Sequence, residues 1–342
     1  MSSRRRATAA MPSPATRRLV PVVAVLMVAA LLLTGSTPAQ ASTCPTGTLG
    51  GIEMGGLTDN LFVFADGNKD LNWQGASKGF VGDVVVNGEL AKERTSGKVP
   101  YAGTIYTNDS DLGKWQDIVD QNEGQATAVF DADAVVDCAV SSLHAALAQI
   151  GLLTATSGFE DRSSKSLDGL DMSGDGPNTY VINVTDDLKV SKPITITGDE
   201  GDVFVLRWDT DGDPSNGYQG QVKFQSGGAI IPAGGLTPSS FIHAAGDINA
   251  SGGGENPPAP YPQAPRLDDG VGSLIDGAKA FSGGGFFTGY WLTTGSPKDG
   301  KTSSLSNAIF VGGWYTLSSK LSMTSGTSGV HVSAVLDDDL VG

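Results

Sequence analysis

The chain is poor in the side chains that metal and nucleophile chemistry uses. Its 342 residues hold two cysteines, Cys44 and Cys138, and three histidines, His144, His243 and His331. The histidines stand far apart, with no Cys or Glu at ligand spacing, so local sequence assembles neither a zinc site nor a Ser/His/Asp triad. Gly75-Ala-Ser-Lys-Gly79 has the spacing of a nucleophile elbow, but a strand-like run follows where that motif needs a helix. The glycine-rich stretch 50–56 likewise lacks the strand–helix setting of a phosphate loop. Bases are scarce as well. Twenty-two Lys and Arg stand against 37 Asp and Glu. Such a surface repels nucleic acid and anionic lipid, and neither is expected as a partner. What is plentiful is glycine, at 47 residues, with Ser, Thr, Asn and Asp. That is the composition of many short strands joined by many turns.

One long apolar run occupies residues 20–33, broken only by Pro21. Arginines at 4–6 and 17–18 precede it, and Ala39-Gln40-Ala41 follows as a small-x-small cleavage site. This is the layout of a secretory signal peptide over residues 1–41. The run is shorter than the roughly 20 residues a membrane anchor needs. Thr16-Arg17-Arg18-Leu19-Val20 matches part of a twin-arginine signal, so the export route stays open. Removing the five leader arginines leaves 17 basic side chains against 37 acidic ones, a formal charge of −20. Export makes a Cys44–Cys138 disulfide the expected state. It would close a loop of about 95 residues, which the chain-entropy model credits with roughly 4 kcal/mol. No hydrophobic tail or sorting motif follows Leu336-Asp-Asp-Asp-Leu, so the expectation is an extracellular protein, free or surface-associated, without a membrane span.

Three stretches look like copies of one rung: Phe241-Ile-His-Ala-Ala-Gly-Asp-Ile, Phe286-Phe-Thr-Gly-Tyr-Trp-Leu-Thr and Ile309-Phe-Val-Gly-Gly-Trp-Tyr-Thr. Their starts are 45 and 23 residues apart, and Val330-His-Val-Ser-Ala-Val-Leu begins 21 later. A period near 22, with 45 taken as two turns, predicts a coil of β-strands. Further strands are expected at Asn60-Leu-Phe-Val-Phe-Ala, Phe80-Val-Gly-Asp-Val-Val-Val, Gly103-Thr-Ile-Tyr-Thr, Thr179-Tyr-Val-Ile-Asn-Val, Pro193-Ile-Thr-Ile-Thr-Gly and Asp202-Val-Phe-Val-Leu-Arg-Trp. Residues 132–152 differ. Val136, Val140, Leu143, Leu147 and Ile150 recur at spacings of three and four, which predicts an amphipathic helix. Residues 42–56 are expected to be irregular, 57–342 to form a single domain, and the Pro/Gly-rich stretch 252–265 to be a surface loop.

Two groups of residues are candidate sites. Asp209, Asp211, Asp213 and Asn216 alternate along one loop, an arrangement that can aim several oxygens at one Ca²⁺. The run is not an EF-hand, since Pro214 stands where that loop needs Gly, and an acidic turn is the plainer reading. No cofactor is required; calcium is the one ion the sequence offers a place for. The second group is Tyr290, Trp291, Trp314 and Tyr315. Adjacent residues of a strand face opposite sides, so one ring of each pair should point outward and form an aromatic strip.

The order Leu-Phe-Val-Phe, Val81-Gly-Asp-Val-Val-Val-Asn-Gly88, helix, Tyr180-Val-Ile-Asn-Val, Ile194-Thr-Ile-Thr-Gly and the rungs ending in Ala308-Ile-Phe-Val-Gly-Gly resembles the choice-of-anchor A domains. These are adhesive modules of bacterial surface proteins, related to ice-binding-protein-like folds. The resemblance covers most of residues 55–335. It implies a right-handed parallel β-solenoid, mainly β, with one long α-helix packed alongside, and it carries no catalytic residues. The leading expectation is a secreted, non-enzymatic adhesion module that binds an extracellular polymer, a glycan, or a matrix or cell-surface protein. Two alternatives stand beside it. One is ice binding by a Thr/Ser face drawn from Ile194-Thr-Ile-Thr, Leu292-Thr-Thr-Gly and Met323-Thr-Ser-Gly-Thr-Ser. The other is a Ca-dependent polysaccharide-active enzyme centred on residues 209–213.

Overall fold

The computed structural model describes residues 44–331, apart from 67–70, 75–78, 89–93, 97–98, 175, 210, 212–217, 226–227, 252–285, 296–302, 307, 319–320 and 325–326. The leader, the 252–265 loop and residues 337–339 therefore lie outside the described residues. The protein is mainly β, built from parallel ladders, with α-helices at Gln116–Gln121 and Asp133–Leu152.

Three ladders carry the fold. The first runs Arg162–Ser163, Thr179–Asp186, Val203–Trp208, Phe241–Ala245, Phe286–Thr293, Ile309–Thr316, Asn60–Phe64, Asp83–Val86 and Tyr101–Thr107. The second runs Leu170–Asp171, Pro193–Gly198, Ala229–Gly234, the opening residues of Phe286–Thr293 and Ile309–Thr316, Ser328–Val330, Gly79–Val81 and the start of Tyr101–Thr107. The third runs Lys189–Val190, Gln221–Gln225, Asp247–Ser251, Ser303–Ser306, Leu321–Thr324, Leu71–Gln74 and Arg94–Ser96. The chain's last strands therefore pair with its first. Ile309–Thr316 lies beside Asn60–Phe64, Leu321–Thr324 beside Leu71–Gln74, and Ser328–Val330 beside Gly79–Val81.

Inward residues of all three ladders make one apolar cluster. Phe62, Phe204, Trp208, Trp291 and Trp314 come from the first, Ile194, Ile230, Phe310 and Phe80 from the second, and Val222, Phe224, Leu305, Met323 and Trp73 from the third. All five tryptophans of the chain are fully buried. Burying one large side chain is worth on the order of 2–3 kcal/mol.

The long strands serve two ladders by bending at glycine. Gly312 has φ +155° and stacks on Gly289, where a Cβ would collide with the Gly289 carbonyl. The 23-residue step from Phe286 to Ile309 is one register step, Phe286 opposite Ile309 and Thr293 opposite Thr316. The 45-residue step is not two turns. Ile242 pairs directly with Tyr290, so the interval from 241 to 286 is one register step lengthened by the insertion, and Ala229 is the residue opposite Phe286. Val330 likewise stands opposite Val311, two places on from Ile309.

The Asp133–Leu152 helix covers the outer side of the first ladder. Val136, Ala139, Leu143, Ala146, Leu147 and Ile150 pack on Val63, Val85, Val181, Val205, Ile242, Leu292 and Tyr315. The helix is long and apolar enough to cross a membrane by length and composition alone, but a continuous side of it is buried on the ladder. Three features fix it there. Arg207, 6% exposed, donates to the carbonyls of Ile150 (3.3 Å) and Leu153 (2.8 Å) at the helix C-terminus, where partial negative charge collects. Gln149 bridges the backbone of Gly51 and Glu53. Cys138 is joined to Cys44.

Residues 44–56 hold more regular structure than composition predicts. Thr48–Leu49 and Ile52–Glu53 pair as a hairpin whose two-residue turn is Gly50-Gly51, both at positive φ. The glycines that made the stretch look irregular are what the tight turn requires.

Candidate functional site

The central strands of the first ladder, Val203–Trp208, Phe241–Ala245 and Asn60–Phe64, are buried on both sides. The third ladder has an accessible outer side, and its strands show the period-two pattern that this produces. In Ser303–Ser306 and Leu321–Thr324, buried residues alternate with half-buried ones. Pairing places Lys189, Lys223, Asn249, Ser304, Ser322, Asn72 and Arg94 in one unbroken register column across all seven strands. A second column holds Gln225, Ser251, Ser306 and Thr324. Neighbours in the first column touch: Asn72 Nδ2 donates to Ser322 Oγ at 3.3 Å. The middle of this side is uncharged. Asn249, Ser304, Ser322, Asn72, Ser306 and Thr324 are short hydroxyls and amides, each able to donate and to accept. In a chain of net charge −15, six neutral polar residues in register are a distinct patch, and the basic residues of the column stand beyond its ends, Lys189 and Lys223 at one and Arg94 at the other. Adjacent parallel strands repeat at roughly 4.8 Å, so the patch is also periodic.

The aromatic strip is not formed. Trp291 and Trp314 point into the core, as the alternation requires, and stand opposite each other in register. Tyr290 and Tyr315 do point outward, but the ladder they leave is the one the helix covers. They are 5% and 0% exposed, stack on each other at 6.2 Å, and Tyr315 Oη donates to the Asn60 carbonyl at 3.1 Å. The four rings are core, not a contact surface.

The acidic loop is described only in part, since Asp213 and Asn216 lie outside the described residues. Asp209 is buried at the end of its strand, where its carboxylate accepts the Gln219 N–H at 2.9 Å. Burial is the main cause pushing its pKa up, with the nearby Asp211 adding to it. Among the described residues no three His, Cys, Asp or Glu groups gather to hold a metal ion. His144 is exposed on the helix. His243 is a core residue: Trp208 Nε1 donates to its Nδ1 at 3.1 Å, its Nε2 donates to the Thr288 carbonyl at 3.1 Å, and Trp291 stacks on it at 3.9 Å.

No known family profile matches the chain, and no curated protein matches it. Among solved structures, the DUF3494 domain of a Shewanella frigidimarina ice-binding protein superposes on 84% of this chain and 99% of its own, at 12% identity and a TM-score of 0.45. An ice-binding protein from an Arctic yeast gives 82% and 93%, 14% identity and 0.49. One from the Antarctic ascomycete Antarctomyces psychrotrophicus gives 82% and 98%, 12% identity and 0.43. The function proposed below rests on this chain's own residues.

The threonines read from the sequence do not share one side of the fold. Thr195 and Thr197 lie on the second ladder, Thr293 is buried in the first, and Thr324 alone of those read joins the neutral patch. The patch was carried by Ser304-Leu-Ser306, Ser322-Met-Thr324 and Asn72-Trp73, each a polar–apolar alternation only three or two residues long.

Proposed function

We propose that the three ladders are the sides of one right-handed parallel β-solenoid, and that the third is a binding surface for ice. The observation that carries the reading is the in-register, uncharged column Asn249–Ser304–Ser322–Asn72, with Ser306 and Thr324 beside it. An ice face is a flat lattice of oxygens that donate and accept hydrogen bonds in equal measure. Neutral hydroxyls and amides can enter that lattice, whereas a charged group holds water in its own shell. Strand pairing fixes the spacing of these groups, so little side-chain order has to be supplied on binding. The protein acts by contact, with no reaction. If the reading holds, the purified protein restrains recrystallisation of fine-grained ice at low micromolar concentration, and Ser304→Lys with Ser322→Lys abolishes the effect while leaving the melting temperature near its original value. Coarsening of the ice at the rate seen with an inert protein would remove the reading.

A second reading keeps the same surface and changes the partner. The order of strand patterns resembles choice-of-anchor A domains, and a periodic polar surface also suits a linear extracellular polymer. The leader at residues 1–41 and the Cys44–Cys138 disulfide support export in either case.

A further inference from the structure

A cavity of about 290 Å³ opens beside the end of the third ladder, lined by Ser164, Lys165, Asp168, Lys189, Ser191 and Lys192 over a floor of Val190, Pro193 and Ile194. Its walls come from two segments of chain, 164–168 and 189–194. The 3-10 turn Ser164–Leu167 caps the terminal strand Lys189–Val190, and Ser164 Oγ donates to the Lys189 carbonyl at 3.0 Å. The corner 191–192 leads into Pro193–Gly198, and Asp168 Oδ1 accepts the Thr195 N–H at 3.0 Å, which holds the far wall.

Three amines thus border one cavity in a chain whose acids outnumber its bases by 37 to 22. They are not equivalent. Lys165 Nζ is paired with Asp187 Oδ2 at 2.6 Å. Among the described residues, Lys189 and Lys192 have no carboxylate at ion-pair distance; Asp187 acts on Lys189 only from further away, and Lys192 is the less engaged of the two. Beside them are hydroxyls, a carboxylate anchored through one oxygen, and an apolar floor. A bare inorganic anion would use only the amines. A sugar ring that carries a carboxylate would use all of it: its acid group faces the two lysines, its hydroxyls meet Asp168 and the serines, and its C–H surface lies on Val190, Pro193 and Ile194. Lys223 stands one strand further along in register with Lys189, where the next acidic unit of a linear chain would fall.

We propose that this cavity is a binding site for uronic-acid residues of an acidic polysaccharide. The site adjoins the neutral patch at the lysine end of the same register column, uses none of the six neutral residues, and does not depend on ice binding. The test is calorimetric titration of the purified protein at neutral pH with a short oligogalacturonate, a maltooligosaccharide of equal length and sodium sulfate. The oligogalacturonate is expected to bind, with affinity falling at least about tenfold in K189Q/K192Q and less in K223Q, at unchanged melting temperature. Weakening by added salt is expected too. Absence of oligogalacturonate binding overturns the proposal, as does equal binding by K189Q/K192Q. Equal affinity for the neutral oligosaccharide overturns it, and so does sulfate binding as tight as the uronate's, which would reduce the site to unspecific anion attraction.

Discussion

His243 and His331 are buried in the described fold, 0% and 2% exposed. The Trp208 N–H pointing at Nδ1 requires that nitrogen to be unprotonated, so His243 is held neutral with its proton on Nε2. Burial lowers the His243 pKa to about 3 and that of His331 to about 4. The unfolded chain takes up both protons near pH 6.5, and the folded chain refuses them until far lower pH. The sign follows: stability is full above about pH 6.5 and falls as the pH drops. At pH 5 the loss is about 2 kcal/mol per histidine. Thermal melts from pH 7.5 to 5 should show the fall, with about half of it absent in His331→Asn, and a flat profile would contradict the burial of both rings. Gly313 makes a second residue-level case. It stands opposite Tyr290, and the Tyr315 ring lies where its Cβ would be. Gly313→Ala must displace that ring from between helix and ladder, at a cost on the order of 1–3 kcal/mol, read as a lower denaturation midpoint.

The Asp133–Leu152 helix is held at its end by one cation. Arg207 leaves the first ladder, reaches two helix-terminal carbonyls, and is steadied by Asn183 Oδ1 at 2.8 Å. Arg207→Met keeps the buried stem and removes the donors, which should cost about 2–3 kcal/mol and first raise hydrogen exchange in the last helical turn. The same ladder shows why some elements were legible and others were not. Strands buried on both sides, such as Val203–Trp208 and Asn60–Phe64, carry the unbroken apolar runs 203–206 and 61–64 and stand out in the sequence. The helix was equally clear from its apolar spacing, to within a residue at its start. The third-ladder strands Leu71–Gln74, Ser303–Ser306 and Leu321–Thr324 bury only one or two large apolar side chains each, and their outer residues are Ser, Thr and Asn, the residues of turns. The elements that carry the proposed site are therefore those whose sequence most resembles loop. The aromatic pairs failed for a related reason: alternation says which ring points outward, but not that a helix lies on that side.

Across the whole molecule, two opposed demands are met by different ladders. The side facing the helix is apolar and supplies stability, with the strands of residues 60–107 joined to those of 286–330 by pairings more than 200 residues apart in sequence. The third ladder leaves the middle of its outer side neutral, polar and periodic, with the basic residues of the column at its ends. Function is then a property of the register and not of one residue: a single neutral substitution in the patch should matter little, and a charge at its middle should matter greatly. The most direct test is thermal hysteresis, the gap between melting and freezing of a single ice crystal held in the protein solution. A measurable gap with faceted growth is predicted for the native protein. Ser304→Lys/Ser322→Lys should close the gap without a change in melting temperature of the fold. A native protein that leaves the crystal rounded and the gap at zero, or a charged variant that performs as well as the native one, would contradict the assignment of the third ladder as an ice-binding surface.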